Sequence, residues 1–411
     1  MPNAPKKNLL IVHYGDELLR GSERCLINLI GGLNKDLFNI HLWSNHPELN
    51  KLVEAPGVAV SYTPFYPSIG FGYPASPDGW LSDYRTAVTI AAGLVDDFSP
   101  ALIICNSLAP VQWLLPISLI KRIPLISYQH TSYLPGARCL SLAFGASHIV
   151  GVSKFTVESF LADGFPDHKI SVIYNGVEDY SKKISVDRNQ LRSELGLAPD
   201  AFVLICIGAL APWKRVDIPI SAMRLLAEKY ADRQTTLLII GDGRSRQSLE
   251  ALSQNLNIRF LGWQTNVADY LAIADCLVAA AEKEAFGLAV WEAASVGLPV
   301  IAVPAGGLKE SIIDEENGLF AEVGNAQSFA RQIIRLRDDP TLRAKLGASG
   351  RASYDQHYRV ERMVEDFSRL IENICRPGKE SFIEFGARLG RLLYLGGKLL
   401  LQRLIASSPK N

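Results

Sequence analysis

The amino-acid sequence predicts an α/β protein built from two doubly wound parallel sheets, and three observations carry that prediction. The chain of 411 residues is too long for one compact core and long enough for two domains of ordinary size. Short apolar runs alternate with longer helical patterns along most of its length, the rhythm of parallel strands joined by crossover helices. The runs are also apolar at consecutive positions, as strands covered on both faces require.

The first series of expected strands is LLIVH (Leu9 to His13), NIHLW (Asn39 to Trp43), ALIIC (Ala101 to Cys105), PLISY (Pro124 to Tyr128), SHIVGVS (Ser147 to Ser153) and ISVIY around Ser171. A second series begins at FVLICIG (Phe202 to Gly208) and continues through TLLIIG, IRFLG, DCLVAA and PVIAV. Between them the polar stretch Glu178 to Asn189 has charges and no apolar period, which reads as a linker. Two Rossmann-like halves follow, residues 1–177 and 190–354. Ligands of such sheets bind beyond the carboxyl ends of the strands, here expected in the cleft between the halves.

Composition excludes several classes. Acidic and basic residues balance at 42 each, so no overall field draws in nucleic acid. The six cysteines are scattered without a CxxC pair, a pattern that fits a reducing compartment rather than a disulfide scaffold. The apolar run before His13 is too short for a signal peptide or a membrane span. The expected location is therefore cytoplasmic.

The strand-to-helix turns carry the chemistry. YGDELLRGSERCLINLI lacks the GxGxxG of a dinucleotide site, which argues against hydride transfer. Gly21 and Ser22 offer close backbone approach at a helix N-terminus, suited to a phosphate or a sugar hydroxyl. A plain turn with Ser22 as N-cap accounts for them equally well. In the second half, Lys214 and Arg215 of ALAPWKRVDIPISA sit just beyond a strand end, where a pair of cations can neutralise a diphosphate. LLIIGDGRSRQSLE supplies a tight turn at Gly241 to Gly243. In EKEAFGLAVWEAASVGLPVIA, Glu284 lies in a loop, while Phe286, Gly287 and Leu288 open the helix carrying Glu292, expected about two turns inside. The Gly287 and Leu288 N–H groups would meet a phosphate with the helix dipole behind them, and Glu292 can accept from a ribose diol. An ordinary helix with solvated glutamates would use the same residues.

Taken in order, these segments resemble the retaining nucleotide-sugar glycosyltransferases of family 4, which have the GT-B fold. The resemblance rests on Glu284 and Glu292 eight residues apart with Phe-Gly between them, on Lys214, on the GDG turn and on GGLKE (Gly306 to Glu310). In the first half, GSERCLINL is similar to the family's Gly-Gly-x-Glu-Arg turn and ISYQHTSY places His130 at the family's active-site histidine. VSKFTVESFLADGFPDHKISVIYNGVE matches the Val-Ser and Asn-Gly-Val signatures at Ser153 and Asn175 to Val177. The resemblance extends to about Cys375. It implies that Glu292 holds the donor ribose, Glu284 contacts the transferred sugar, Lys214 balances the departing diphosphate and His130 hydrogen-bonds the donor sugar across the cleft. One departure stands out: where the family often has an arginine after the strand-end glycine, this chain has Ala209, and Arg215 is the candidate substitute.

The implied activity is metal-independent transfer, with retention, from a nucleoside-diphosphate sugar to a glycan or lipid-linked acceptor in cell-surface polysaccharide or glycolipid synthesis. No cofactor beyond the sugar nucleotide is expected, and no metal-ligand cluster shows in the spacing of His, Cys and carboxylates. A nucleotide-sugar 2-epimerase and a non-catalytic nucleotide-sugar-binding protein are the alternatives. The aromatic, Gly- and Pro-rich segment Ser61 to Trp80 is the expected acceptor contact.

Two C-terminal segments complete the reading. Residues 355–376 are expected to form a helix packing back toward the first domain. In the tail, 377–411, Phe382, Phe385, Leu389, Leu392 and Leu399 recur at three- and four-residue steps, and Glu384, Arg388, Arg391, Lys398 and Gln402 form another stripe. That pattern predicts an amphipathic helix with a mostly basic polar face, expected to rest on an anionic membrane surface through residues 382–404. Packing of its apolar face on the first domain is the competing expectation.

Overall fold

The computed structural model describes residues 5–15, 19–64, 79–134, 140–230, 232, 234–375 and 381–406, with the side chains of 141 and 395–406 excepted. The chain forms two compact units: Met1–Gly176 with Val360–Asn411, and Val177–Arg359. Both are α/β, and every paired strand in each sheet is parallel.

In the first unit the strands are β1 (Lys7–His13), β2 (Phe38–Ser44), β3 (Val58–Tyr62), β4 (Leu102–Cys105), β5 (Leu125–Gln129), β6 (His148–Gly151) and β7 (Ile170–Val172). They lie in the order β3-β2-β1-β4-β5-β6-β7. β1 is central, with Leu9 opposite Ile40 on one side and Leu102 on the other. Leu9 to Val12 are fully buried because helices cover both faces, which is why this strand is continuously apolar. Strand order reverses between β1 and β4, so the loops at their carboxyl ends diverge and leave room for ligand there.

The second unit repeats the plan with β8 (Phe202–Ile207), β9 (Thr235–Ile240), β10 (Ile258–Gly262), β11 (Cys276–Ala279), β12 (Val300–Ala302) and β13 (Leu319–Phe320). Their order is β10-β9-β8-β11-β12-β13, and the reversal falls between β8 and β11. Its core joins Leu204 and Leu237 of the sheet to Phe329, Ile333 and Leu336 of the helix Ala326–Asp338.

The stretch 178–189, expected as a linker, is instead packed into the second unit. Tyr180 is buried, Arg351 grips Asp179 at 2.9 Å and Ser185 N–H donates to Asp269 at 2.7 Å. Its polarity reflects these side-chain bonds, a role that the absence of apolar period conceals.

After the second unit the helix Val360–Ile374 returns to the first, where Met363, Phe367 and Ile371 are buried and Phe367 meets Tyr128 edge-on at 4.9 Å. The tail then forms the helix Phe382–Ala406. Its orientation corrects the expected basic outer face. Arg388 is 1% exposed and donates to the Gly145 carbonyl at 2.6 Å and Ser118 Oγ at 2.7 Å, and Arg391 donates to the carbonyls of Phe144 and Ala146. Phe382, Ile383, Leu393 and Tyr394 are exposed. No helix among the described residues is long and apolar enough to cross a membrane.

Candidate functional site

In the second unit the site is assembled at the carboxyl ends of β8, β9 and β11. Gly208 N–H donates to the Ile240 carbonyl and Leu210 N–H to Asp242, so the two loops leave the sheet tied together. Gly241, at φ 127°, lies so close that a Cβ there would stand 2.0 Å from the Gly208 oxygen. Only glycine permits that approach. The short turn Pro212–Lys214 then carries Lys214 back over the strand end, with its Nζ 2.5 Å from Glu284 Oε2. Both side chains of this pair are partly open to solvent.

Glu284 sits on the loop after β11, and the GGLKE segment holds that loop. Gly307 N–H donates to the Glu284 carbonyl at 2.8 Å, and Gly306, at φ 57°, approaches so closely that a Cβ would fall 2.1 Å from the same oxygen. Gly287, at φ 90°, caps the helix Leu288–Ser295, placing Leu288 at the first helical position beside that loop. Phe286 is 3% exposed and meets Tyr358 edge-on at 5.7 Å, so its ring anchors the turn from within.

Glu292 is the fifth residue of this helix, just over one turn inside rather than two. The residue is 6% exposed, and its Oε1 accepts from the Tyr180 hydroxyl at 3.0 Å. Tyr180 N–H is bonded to Ser295 Oγ, whose hydroxyl donates to the Glu292 carbonyl, so the polar stretch 178–183 clamps the carboxylate in place. Tyr180 was not legible as a site residue.

Arg215, the candidate substitute for the arginine missing at Ala209, is paired with carboxylates. Its guanidinium binds Asp217 at 3.0 Å and also bonds Glu282, and the Asp217 hydrogen bond holds its proton more tightly than usual. Two carboxylates already neutralise it.

In the first unit, polar side chains converge where β1, β4 and β5 end. His130, after β5, places Nε2 2.8 Å from Asn106 Oδ1 and its ring 4.2 Å from that of Tyr128. Burial pushes its pKa down to about 3, against a smaller upward pull from Glu23, so the ring is neutral near pH 7. Asn106 Nδ2 also lies 2.9 Å from His13 Nδ1. His13 Nε2 stands 3.0 Å from Glu23 Oε1, without the in-line geometry of a full hydrogen bond. Burial alone would raise the Glu23 pKa, but His13 and the amides of Glu23 and Arg20 outweigh it and hold it at about 2.

The helix Gly21–Gly32 starts at Gly21. Ser22 is not its N-cap: the Ser22 hydroxyl donates to Glu23 Oε1 at 2.9 Å, and Glu23 Oε2 accepts from Arg20 N–H at 2.8 Å. The motif residues Ser153 and Asn175 hold structure, Ser153 capping the helix Lys154–Ala162 and Asn175 accepting from Tyr128 at 3.0 Å. Of the expected acceptor segment, residues 65–78 lie outside the described residues.

Comparison with known proteins agrees with this division. Residues 19–179 match the model of Glycosyltransferase Family 4, and residues 187–353 that of Glycosyl transferases group 1. N-acetyl-alpha-D-glucosaminyl L-malate synthase of Bacillus anthracis is 32% identical over 53% of this chain and 57% of its own. A GDP-mannose-dependent monoacylated alpha-(1-6)-phosphatidylinositol monomannoside mannosyltransferase of Corynebacterium glutamicum is 29% identical over 59% and 67%. The matches thus span between about half and two thirds of these curated relatives. Among solved structures, Anabaena Alr3699/HepE in complex with UDP-glucose shares the fold, with a TM-score of 0.74, 23% identity and coverage of 89% of this chain and 99% of that one. With a Glycosyltransferase Family 4 match in its first half, a Glycosyl transferases group 1 match in its second and a parallel-sheet unit in each, the chain has the GT-B fold.

Proposed function

We propose that the protein transfers a sugar, with retention of anomeric configuration, from a nucleoside-diphosphate sugar to a glycan or lipid-linked acceptor in cell-surface polysaccharide or glycolipid synthesis. The observation that carries this reading is the Lys214–Glu284 pair beside the N-terminus of Leu288–Ser295. It sets a cation and a helix N-terminus where a departing diphosphate needs charge stabilisation, and a carboxylate where a sugar can be gripped. Glu292, held by Tyr180, is the ribose ligand. His130 is the donor-sugar contact from the first unit, in its neutral form.

Lys214 and the helix dipole supply the leaving-group charge without a divalent ion in this scheme. UDP and GDP are the leading donor bases, because the Anabaena protein is bound to UDP-glucose and the Corynebacterium enzyme is GDP-mannose-dependent. The test uses UDP-, GDP- and ADP-sugars labelled in the sugar, with and without EDTA, and glycan and polyprenyl-phosphate acceptors. One donor should be consumed at the same rate in EDTA, and proton NMR of the product should show the donor's anomeric configuration. Inverted product, or a chelator-dependent rate, would overturn the corresponding part.

A further inference from the structure

Three buried polar side chains and the half-buried His130 form one connected line in the first unit. His13 ends β1, Asn106 follows β4, His130 follows β5, and Glu23 lies in the first turn of the helix Gly21–Gly32. His13, Glu23 and Asn106 are each at most 3% exposed. Gly15 passes directly over the His13–Glu23 end, where a Cβ would lie 2.6 Å from His13 Nε2 and 2.9 Å from Glu23 Oε1.

The line has a direction set by the amide of Asn106, whose NH2 faces His13 Nδ1 at 2.9 Å and whose oxygen faces His130 Nε2 at 2.8 Å. An amide oxygen can only accept. That nitrogen must carry the proton, which leaves His130 Nδ1 as an acceptor.

We propose that Asn106 is a positioning residue that fixes His130 as the Nε2–H tautomer, so that its Nδ1 accepts a hydrogen bond from a hydroxyl of the donor sugar. This rests on the reading of His130 as a donor-sugar contact. It adds a requirement on the substrate: the transferred sugar carries a hydroxyl at the position facing His130, and its deoxy analogue is a poor donor. His13, and Glu23 standing 3.0 Å from its Nε2, act through Asn106.

Nitrogen-15 NMR of histidine-labelled protein tests the tautomer directly, with His130 assigned by its loss in His130→Gln. In the wild type, His130 should show a protonated Nε2 and an unprotonated Nδ1 from pH 5.5 to 8. In Asn106→Ala it should become a tautomer mixture, with kcat reduced at least about tenfold, the scale of one mis-set hydrogen bond, and KM changed less. In the isosteric Asn106→Asp, the new charge should move His130 protonation to higher pH. A wild-type His130 protonated at Nδ1, or a tautomer unchanged in Asn106→Ala, overturns the proposal even where a variant folds poorly. A shifted tautomer with unaltered kcat overturns its role in turnover. His130→Gln separates the two failures: if that variant also turns over normally, the donor-sugar reading of His130 is what fails.

Discussion

The ammonium of Lys214 lies 2.5 Å from the carboxylate of Glu284, although the two residues are separated by 70 positions and come from different strand ends. Lys214 reaches over the end of β8, and Glu284 is held from below by Gly306 and Gly307. Each neutralises the other. In the proposed function the same two groups would meet the charge of a sugar diphosphate at one end and its hydroxyls at the other.

Lys214→Ala should therefore lower turnover at least about a hundredfold, the scale of losing one transition-state contact, while leaving the fold intact. Steady-state rates at saturating donor check it, with circular dichroism as the control. Near-normal turnover would show that the helix N-terminus alone suffices, since Arg215 is already occupied by Asp217 and Glu282.

Glu292→Gln should weaken donor binding by about 1–3 kcal/mol through a lost charge-assisted hydrogen bond. Tyr180→Phe, which removes the hydroxyl bonded to Oε1, should cost about 1 kcal/mol through a freed carboxylate. Calorimetric titration with the nucleoside diphosphate reads both. Unchanged affinity in Glu292→Gln would remove the ribose role, and a larger loss in Tyr180→Phe would make the tyrosine itself a ligand.

Acid should destabilise the protein in a window set by His130. Its folded pKa is about 3 against an ordinary 6.5, so the unfolded chain binds the extra proton first. The stability from the neutral ring is complete above about pH 6.5 and is lost as pH falls toward 3. His130 is only half-buried and solvent screens part of this, so on the order of 1 kcal/mol should disappear between pH 6.5 and 5. Glu23, folded near 2 against 4.5, adds its own loss only at lower pH. Urea unfolding from pH 7.5 to 5 should show a steeper decline for the wild type than for His130→Gln, and equal slopes would refute the assignment.

Any lipid contact of the tail would be made by its apolar side rather than by Arg388 and Arg391, which bond inward. Phe382, Ile383, Leu389, Leu393 and Tyr394 are the large apolar side chains this helix exposes among its described residues. The double variant Ile383→Asp, Leu393→Asp should bind anionic vesicles at least about tenfold more weakly, the scale of withdrawing one large apolar side chain from lipid. Sedimentation measures it, beside a protein ending at Cys375. If the truncated and full-length proteins bind alike, the helix has only a structural role.

Most strands were legible because burial on both faces writes itself as continuous apolar sequence. β3 was missed: at the sheet edge VAVSY is only partly covered and carries no such run. β13 has two residues, too few for any pattern. Glu284, Glu292 and Lys214 stood out through spacing, but Asn106 and Tyr180 did not, because their partners lie on elements far away in sequence. The tail was misread for a related reason. Helical period separates arginines from leucines, yet the carbonyls of Ile123 and Phe144 to Ala146 end helices and need donors, and only the folded chain shows Arg388 and Arg391 supplying them.

The most direct test of the central claim is release of nucleoside diphosphate by the pure protein from UDP-, GDP- and ADP-sugars, compared with Glu284→Gln. One donor should be hydrolysed slowly without acceptor and faster with it, and the variant should lose at least about a hundredfold of that rate. Equal rates in the two proteins, or no release from any donor with every acceptor tried, would contradict the account.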